Sequence, residues 1–310
     1  MSKKLLSHDL FGTGSKNAAV WLHGILGHKK NLRTISQKLL ANHPTLLDSS
    51  MTIEHRGHGN NLSSSFQSPH TVQACAQDLS NLITDLDIKP QVMIAHSFGG
   101  KVILEYLKLI LESNDNIDNI NKNINLPENI WILDSLPGPY NDSGNEASVS
   151  NVLEILQKLP RKFESRKWMI SQLTERYQIP QPIALWLGTS VIPSIESPGQ
   201  YTWMFDLDIV LELFNDFLYL DLFPWLEYYA YISQNNNNDN DIKLPRIHYL
   251  RASLSDQWTP DVITRLEKLN SLKLIDNKQS RVTLQTLKGA GHWLHTSHPK
   301  EVLNFISKAI

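Results

Sequence analysis

Gln91-Val92-Met93-Ile94-Ala95-His96-Ser97-Phe98-Gly99-Gly100 is the stretch from which the fold is read. Residues 91–94 form an apolar run of the buried-strand kind, and Ser97 follows on a sharp turn into a helix. On such an elbow the serine backbone is strained, and the residues two before and two after it must be small to avoid a clash. Ala95 and Gly99 meet that demand, with Ala95 adding one methyl group where glycine is usual. Lys101 to Leu111 predicts the following helix, because Val102, Ile103, Tyr106, Leu107 and Ile110 recur at helical spacing. A small-x-Ser-x-Gly string is common by chance. Between a buried-strand run and a helix it marks Ser97 as a candidate nucleophile.

Strand and helix signals alternate on both sides of this elbow. Ala18 to Leu22 predicts a strand leading into His23-Gly24, and Asn31 to Leu40 an amphipathic helix. Thr45 to Ile53 predicts a second strand, ending at Glu54-His55-Arg56-Gly57-His58-Gly59. A helix is expected from Val72 to Leu86, and a strand over Asn129 to Leu133 that stops at Asp134-Ser135-Leu136-Pro137. Farther on, Arg246 to Leu250 and Val282 to Leu287 read as strands, Thr259 to Leu269 and Pro299 to Ala309 as helices. This alternation predicts an α/β class protein with a mostly parallel central sheet and helices on both faces. Between Tyr140 and Ile232 the strand signals disappear, and Val149 to Leu159, Phe163 to Tyr177 and Asp208 to Leu220 read as helices. The expected organisation is a core of residues 1–139 and 241–310 with a helical cap, 140–240, inserted in it. Asparagine-rich stretches at 113–126 and 234–241 read as flexible loops.

The chain of 310 residues carries a formal net charge of -2, so no global electrostatic argument favours nucleic acid or an anionic membrane as partner. Its single cysteine, Cys75, excludes an internal disulfide and a multi-cysteine metal site, and its helical surroundings read as those of a small buried hydrophobe. Basic residues near the N-terminus are not followed by a long apolar core, and no apolar stretch approaches spanning length. A soluble intracellular protein is therefore expected, cytoplasmic by default, with an organelle left open. No cofactor and no metal are expected. Gly12-Thr13-Gly14-Ser15-Lys16 lacks the spacing and the preceding strand of a phosphate loop.

A serine hydroxyl is a weak nucleophile and needs a base within hydrogen-bond reach. The candidate is His292 in Gly289-Ala290-Gly291-His292-Trp293-Leu294-His295, between the last strand and the last helix. No matching carboxylate cluster supports reading His292 and His295 as metal ligands. Acyl chemistry also needs donors for an oxyanion. The loop His23-Gly24-Ile25-Leu26-Gly27 supplies the Ile25 amide, or in the alternative that of Leu26, and the Phe98 amide opens the nucleophile helix. His23 reads as structural, and Glu54 and Arg56 as braces beneath the site. Trp203 and Phe205 are candidate walls of an acyl pocket.

These motifs resemble the α/β-hydrolase fold over nearly the whole chain: His23-Gly24, Arg56-Gly57-His58-Gly59, the elbow at Ser97 and the loop at His292. Within that superfamily the chain is similar to the small-esterase group of bacterial YbfF-type esterases and mammalian ABHD11-like proteins. The resemblance to plant members of that group is closer still, through Leu133-Asp134-Ser135-Leu136-Pro137-Gly138 and Trp203-Met204-Phe205-Asp206-Leu207-Asp208. The resemblance implies a cofactor-independent serine hydrolase that cleaves a small carboxylic ester or thioester through a Ser-His-Asp triad and an acyl-enzyme.

Two aspartates compete to be the acid. Asp256, in Ser253-Leu254-Ser255-Asp256-Gln257-Trp258, occupies the commoner position in the superfamily. The YbfF-like group implies instead Asp134 as acid, with Ser255 as a helper to the histidine. Asp208, in the cap, is a remote third. The alternatives in function are a lyase of the menaquinone-synthase type, to which an arginine-rich pocket built from Arg161, Arg166 and Arg176 would belong, and a non-catalytic small-molecule binding protein.

Overall fold

The computed structural model describes residues 5–14, 16–62, 66–113, 126–140, 148–235, 244–272 and 280–310. Positions 114–125 and 236–241 of the asparagine-rich stretches lie outside the described residues. The chain runs through β1 (His8–Gly12), β2 (Ala18–Leu22), α1 (Arg33–Asn42), β3 (Ser49–Ile53), α2 (Val72–Asp85), β4 (Pro90–His96), α3 (Phe98–Glu112) and β5 (Asn129–Leu133). It continues through α4 (Val149–Lys158), β6 (Lys162–Phe163), α5 (Arg166–Ser171), α6 (Gln181–Gly188), β7 (Val191–Pro193), β8 (Tyr201–Trp203), α7 (Leu207–Tyr219) and α8 (Phe223–Asn235). It closes with β9 (Arg246–Ala252), α9 (Pro260–Ser271), β10 (Val282–Leu287), α10 (Leu294–Ser297) and α11 (Pro299–Ser307).

The main sheet has the order β1-β3-β2-β4-β5-β9-β10. Its pairings are parallel except that of β1 with β3. Strands in such a sheet are covered on both faces, which is why they read as unbroken apolar runs. Alternation splits them between two cores. Val20, Leu22, Met51, Met93, Ala95 and Ile130 share one with Leu79 of α2 and Ile103 of α3, while Trp21, Ile94, Trp131 and Leu250 share the other with Leu39 of α1 and Val302 of α11. Cys75 is buried in the first of these, and burial pushes its thiol up.

Two departures from the sequence reading stand out. Edge strand β1 was not foreseen, because its half-exposed pattern lacks an apolar run. The segment expected to be wholly helical contains a second, antiparallel sheet of order β6-β8-β7. Strands of two or three residues are too short to show a period of two. The helix expected from Phe163 starts only at Arg166, where Ser165 accepts the Trp168 amide at the N-cap, and passes into a π-helical turn at Gln172–Arg176. Among the described residues no helix is long and apolar enough to cross a membrane.

Lys101 ties the nucleophile helix to α7. It is fully buried, and its Nζ donates to the carbonyls of Phe217 (2.6 Å) and Leu220 (2.8 Å) while lying over the Phe217 ring. These carbonyls belong to the end of α7, where helix geometry leaves acceptors without intrahelical partners. Burial pushes the ammonium down to about 7, against the opposing pull of Asp221 and Asp216. A neutral amine still has two N–H groups for two carbonyls, so the clasp survives deprotonation. Lys101→Met keeps most of the apolar stem and removes both donors. It is expected to lower stability by about 2 kcal/mol, read from urea denaturation.

Candidate active site

Ser97 sits between β4 and α3 with φ 52° and ψ -119°, a conformation L-residues avoid. Its amide donates to the Leu133 carbonyl (3.0 Å), which fixes the elbow against β5. The small residue two places on is required by contact. A Cβ on Gly99 would lie 2.8 Å from the His23 carbonyl oxygen and 3.0 Å from Leu22 Cβ.

Asp134 ends β5 with no exposed surface and with φ 47°. Its Oδ1 accepts the Ala252 amide (2.8 Å) and Trp258 Nε1–H (2.7 Å), and its Oδ2 accepts Gln257 Nε2–H (2.7 Å) and His292 Nδ1–H (2.8 Å). Burial alone would raise this carboxyl. The His292 bond and charge, with the Ala252 and Trp258 donors, outweigh it and hold Asp134 below the usual carboxylate value. Of the two aspartates weighed from sequence, Asp134 is therefore the one hydrogen-bonded to His292. Asp256 is exposed and lines the cavity described below. Its two neighbours, Gln257 and Trp258, turn inward to Asp134 instead, and nothing in their spacing signalled that role. Ser255, half-buried, lines the same cavity.

Ser97 and His292 open onto one cavity of about 320 Å³. His96 Nε2–H donates to the His292 carbonyl (2.8 Å), and the two rings lie 4.6 Å apart, so the residue before the serine anchors the histidine loop. An imidazole that donates one N–H to a buried carboxylate presents its other nitrogen as a proton acceptor. The apolar part of the wall includes Val149 and Val152 of α4, Ile183 and Trp186 of α6 and Phe214 and Phe217 of α7, together with Ile25, Leu32 and Leu254. Trp293 meets Trp186 across it, with ring centroids 5.6 Å apart. Trp203 and Phe205, expected as walls, are not among the lining residues. They stack on each other 5.1 Å apart and are buried, with the Trp203 ring against Phe163 of β6, so both rings are spent in packing.

The loop His23 to Gly27 borders the cavity beside Ser97. A Cβ on Gly24 would stand 3.2 Å from Ser97 Cβ and 3.0 Å from His96 Nδ1, so a side chain here would crowd the serine and His96. Ile25 lines the cavity, and Phe98 begins α3. The Leu26 amide, the alternative oxyanion donor, is already committed, since it donates to His58 Nε2 at 3.2 Å. His23 holds the loop: its Nδ1–H donates to the Gly24 carbonyl (2.7 Å), and its Nε2 accepts the His55 amide (3.3 Å). Arg56 is spanned by both oxygens of Asp78 (2.7 and 3.0 Å). Arg161 pairs with Asp208 at the surface, Arg166 donates to the Val191 carbonyl and Arg176 lies over the Tyr177 ring; none of the three lines the cavity. Among the described residues no cluster of three or more histidine, cysteine, aspartate or glutamate side chains is placed to hold a metal ion.

An elbow serine and an imidazole–carboxylate pair that open onto one cavity at the rim of a mostly parallel sheet are the arrangement of the α/β-hydrolase fold. The chain belongs to the alpha/beta hydrolase family, whose model matches residues 19–305. It is 23% identical over 307 residues to the mouse sn-1-specific diacylglycerol lipase ABHD11, covering 97% of this chain and 84% of that protein. The zebrafish protein of the same name is 25% identical over 313 residues, with 98% and 81% covered. Among solved structures a marine microorganism esterase superposes with a TM-score of 0.69 at 20% identity, covering 99% of each chain. The resemblance drawn from the motifs, to α/β-hydrolases and to the ABHD11-like group within them, agrees with these matches.

Two measurements follow from the geometry. Asp134→Asn should lower kcat on a nitrophenyl ester by a factor on the order of 10³ to 10⁴ through loss of the imidazole's orientation, while Asp256→Asn leaves kcat near the unaltered value. The second concerns acid. Burial holds His23, His28, His55, His58, His96, His248 and His295 below the usual histidine value, at about 3 for His55 and His58 and about 4 for His28, His248 and His295. The unfolded chain therefore binds these protons first, and stability falls as pH drops from 6.5 towards 4. The five histidines whose values reach about 3 or 4 each contribute roughly 1 kcal/mol to this loss by about pH 5.5. Denaturant midpoints measured between pH 7.5 and 5 should show this steep decline.

Proposed function

We propose that the protein hydrolyses a carboxylic ester or thioester through an acyl-enzyme. Ser97 Oγ attacks the carbonyl carbon as its proton passes to His292 Nε2, and Asp134 holds the imidazolium that forms. The amides of Ile25 and Phe98 stabilise the oxyanion of the tetrahedral intermediate. His292 returns the proton to the leaving alkoxide or thiolate as its bond to carbon breaks. Water, deprotonated by His292, then attacks the acyl-serine. The carboxylic acid leaves and Ser97 recovers its proton. In this reading residues 140–240 act as a cap that closes the acyl pocket over the core formed by 1–139 and 241–310.

The observation that carries the reading is the buried Asp134–His292 hydrogen bond, 2.8 Å, at an apolar cavity shared with a strained serine. The mouse and zebrafish relatives, diacylglycerol lipases by name, add glycerides to the esters worth testing. Among the described residues the lining contains no lysine or arginine, which weighs against a polyanionic substrate and hence against the lyase alternative. A series of nitrophenyl esters of rising chain length, run beside acyl-thioesters and a diacylglycerol, ranks the substrates.

Ser97→Ala is expected to lower kcat by a factor of about 10⁴ or more with the circular dichroism unchanged. A fluorophosphonate should label the parent protein and not this variant. Undiminished hydrolysis by Ser97→Ala overturns the mechanism.

A further inference from the structure

His58 takes no part in the steps above, yet it is fully buried directly behind the loop that borders Ser97. Its Nδ1 lies 3.0 Å from the Arg56 carbonyl, which only accepts, so Nδ1 carries the proton and Nε2 is bare. That bare nitrogen accepts the Leu26 amide at 3.2 Å. Burial, with the neighbouring His23, lowers the ring's affinity for a second proton, to a value of about 3. The ring thus stays neutral and the acceptor stays available.

The bond holds a conformation that leucine does not favour. Gly24 to Gly27 is a turn closed by the Gly27 amide on the Gly24 carbonyl (3.0 Å), and Leu26, its third residue, has φ 60°. Glycine ordinarily fills that place, and another residue persists there only when its surroundings over-determine it. The Gly24 carbonyl also accepts His23 Nδ1–H, so it points into the turn. A trans peptide directs the adjoining N–H, that of Ile25, the opposite way. His58 is itself pinned. His58 forms a bridge with Phe205, the Gly59 amide donates to the Met204 carbonyl and the Asp206 amide to that of Gly57.

We propose that His58 is a positioning residue of the oxyanion loop: by accepting the Leu26 amide it holds the Gly24–Gly27 turn in the form that presents the Ile25 amide to a carbonyl bound at Ser97. This rests on the hydrolase reading given above. The role falls to the imidazole of Arg56-Gly57-His58-Gly59, not to Glu54 or Arg56.

His58→Asn and His58→Gln separate this from mere packing. An asparagine amide reaches only as far as Nδ1, whereas that of glutamine reaches the position of Nε2 and can accept the Leu26 amide. His58→Asn should lower kcat by about 10- to 100-fold with KM within about twofold, and His58→Gln should recover most of the loss. A trifluoromethyl ketone, which adds to Ser97 as a hemiketal oxyanion, should weaken by the same factor as kcat. The matching alcohol, which fills the cavity without an oxyanion, should bind unchanged. Equal loss for ketone and alcohol, or an unaltered kcat in a folded His58→Asn, overturns the proposal. Should that variant not fold, hydrogen exchange on the parent protein decides: the Leu26 amide is expected to be strongly protected, and free exchange sinks the idea. If the parent protein neither hydrolyses esters nor reacts with fluorophosphonate at Ser97, the hydrolase reading itself has failed. If it does both and the His58 variants match it, only the present inference has.

Discussion

The Asp134 carboxylate joins three distant parts of the chain at one edge of the sheet. It directly follows β5, it is met by Ala252 at the end of β9 and by Gln257 and Trp258 after it, and it receives His292 from the loop after β10. A buried carboxylate is tolerated only when donors saturate it. Those donors are consequently part of the fold as much as of the site, because they close the β9 loop and the last loop onto one point. The same contact that keeps the charge buried also fixes the imidazole's orientation. Geometry at His292 is thus set by the sheet and not by the loop alone.

Backbone strain collects at the same edge. Leu26, Ser97 and Asp134 all have positive φ, and they follow β2, β4 and β5, which are neighbours in the sheet. Each such residue costs on the order of 1–3 kcal/mol and persists because other bonds specify it. The Ser97 amide donates to Leu133 O, the Asp134 amide to Leu250 O and the Leu26 amide to His58 Nε2. Each of these three residues is held through its own N–H by an acceptor on another segment. A parallel sheet with its strand ends in register supplies such acceptors at one rim, which is where α/β proteins place their ligands.

The sequence made the scaffold legible where physics is local. Residues 18–22, 91–94 and 129–133 are apolar on both faces because the sheet is covered twice, and the serine elbow demands small residues at fixed offsets. The loop at His292 was found by its glycines and its place before the last helix. Which aspartate meets His292 was not legible from spacing, since Asp134 and Asp256 both follow strands. The choice lies in the inward turn of Gln257 and Trp258, a tertiary fact with no periodic trace. For the same reason Trp203 and Phe205 were misplaced: aromatic content shows that a segment packs, not which side of it faces a cavity. The bracing read at Glu54 and Arg56 left out His58, whose bond to the Leu26 amide depends on a tautomer set by one carbonyl.

Several histidines surround the cavity, and the structure separates one of them from the rest. His23 and His96 each donate a ring N–H to a backbone carbonyl, and His58, behind the loop, does the same. Burial holds these three, and His295, as neutral rings. A neutral ring whose proton is bound to a carbonyl and whose other face is shut from water is a spacer of fixed polarity, not a proton carrier. His292 differs in both respects. Its side chain is 26% exposed, and its Nδ1–H faces a carboxylate able to stabilise a second charge. The surrounding rings therefore shape the rim as fixed neutral groups, and the partly exposed imidazole among them is the one hydrogen-bonded to Asp134.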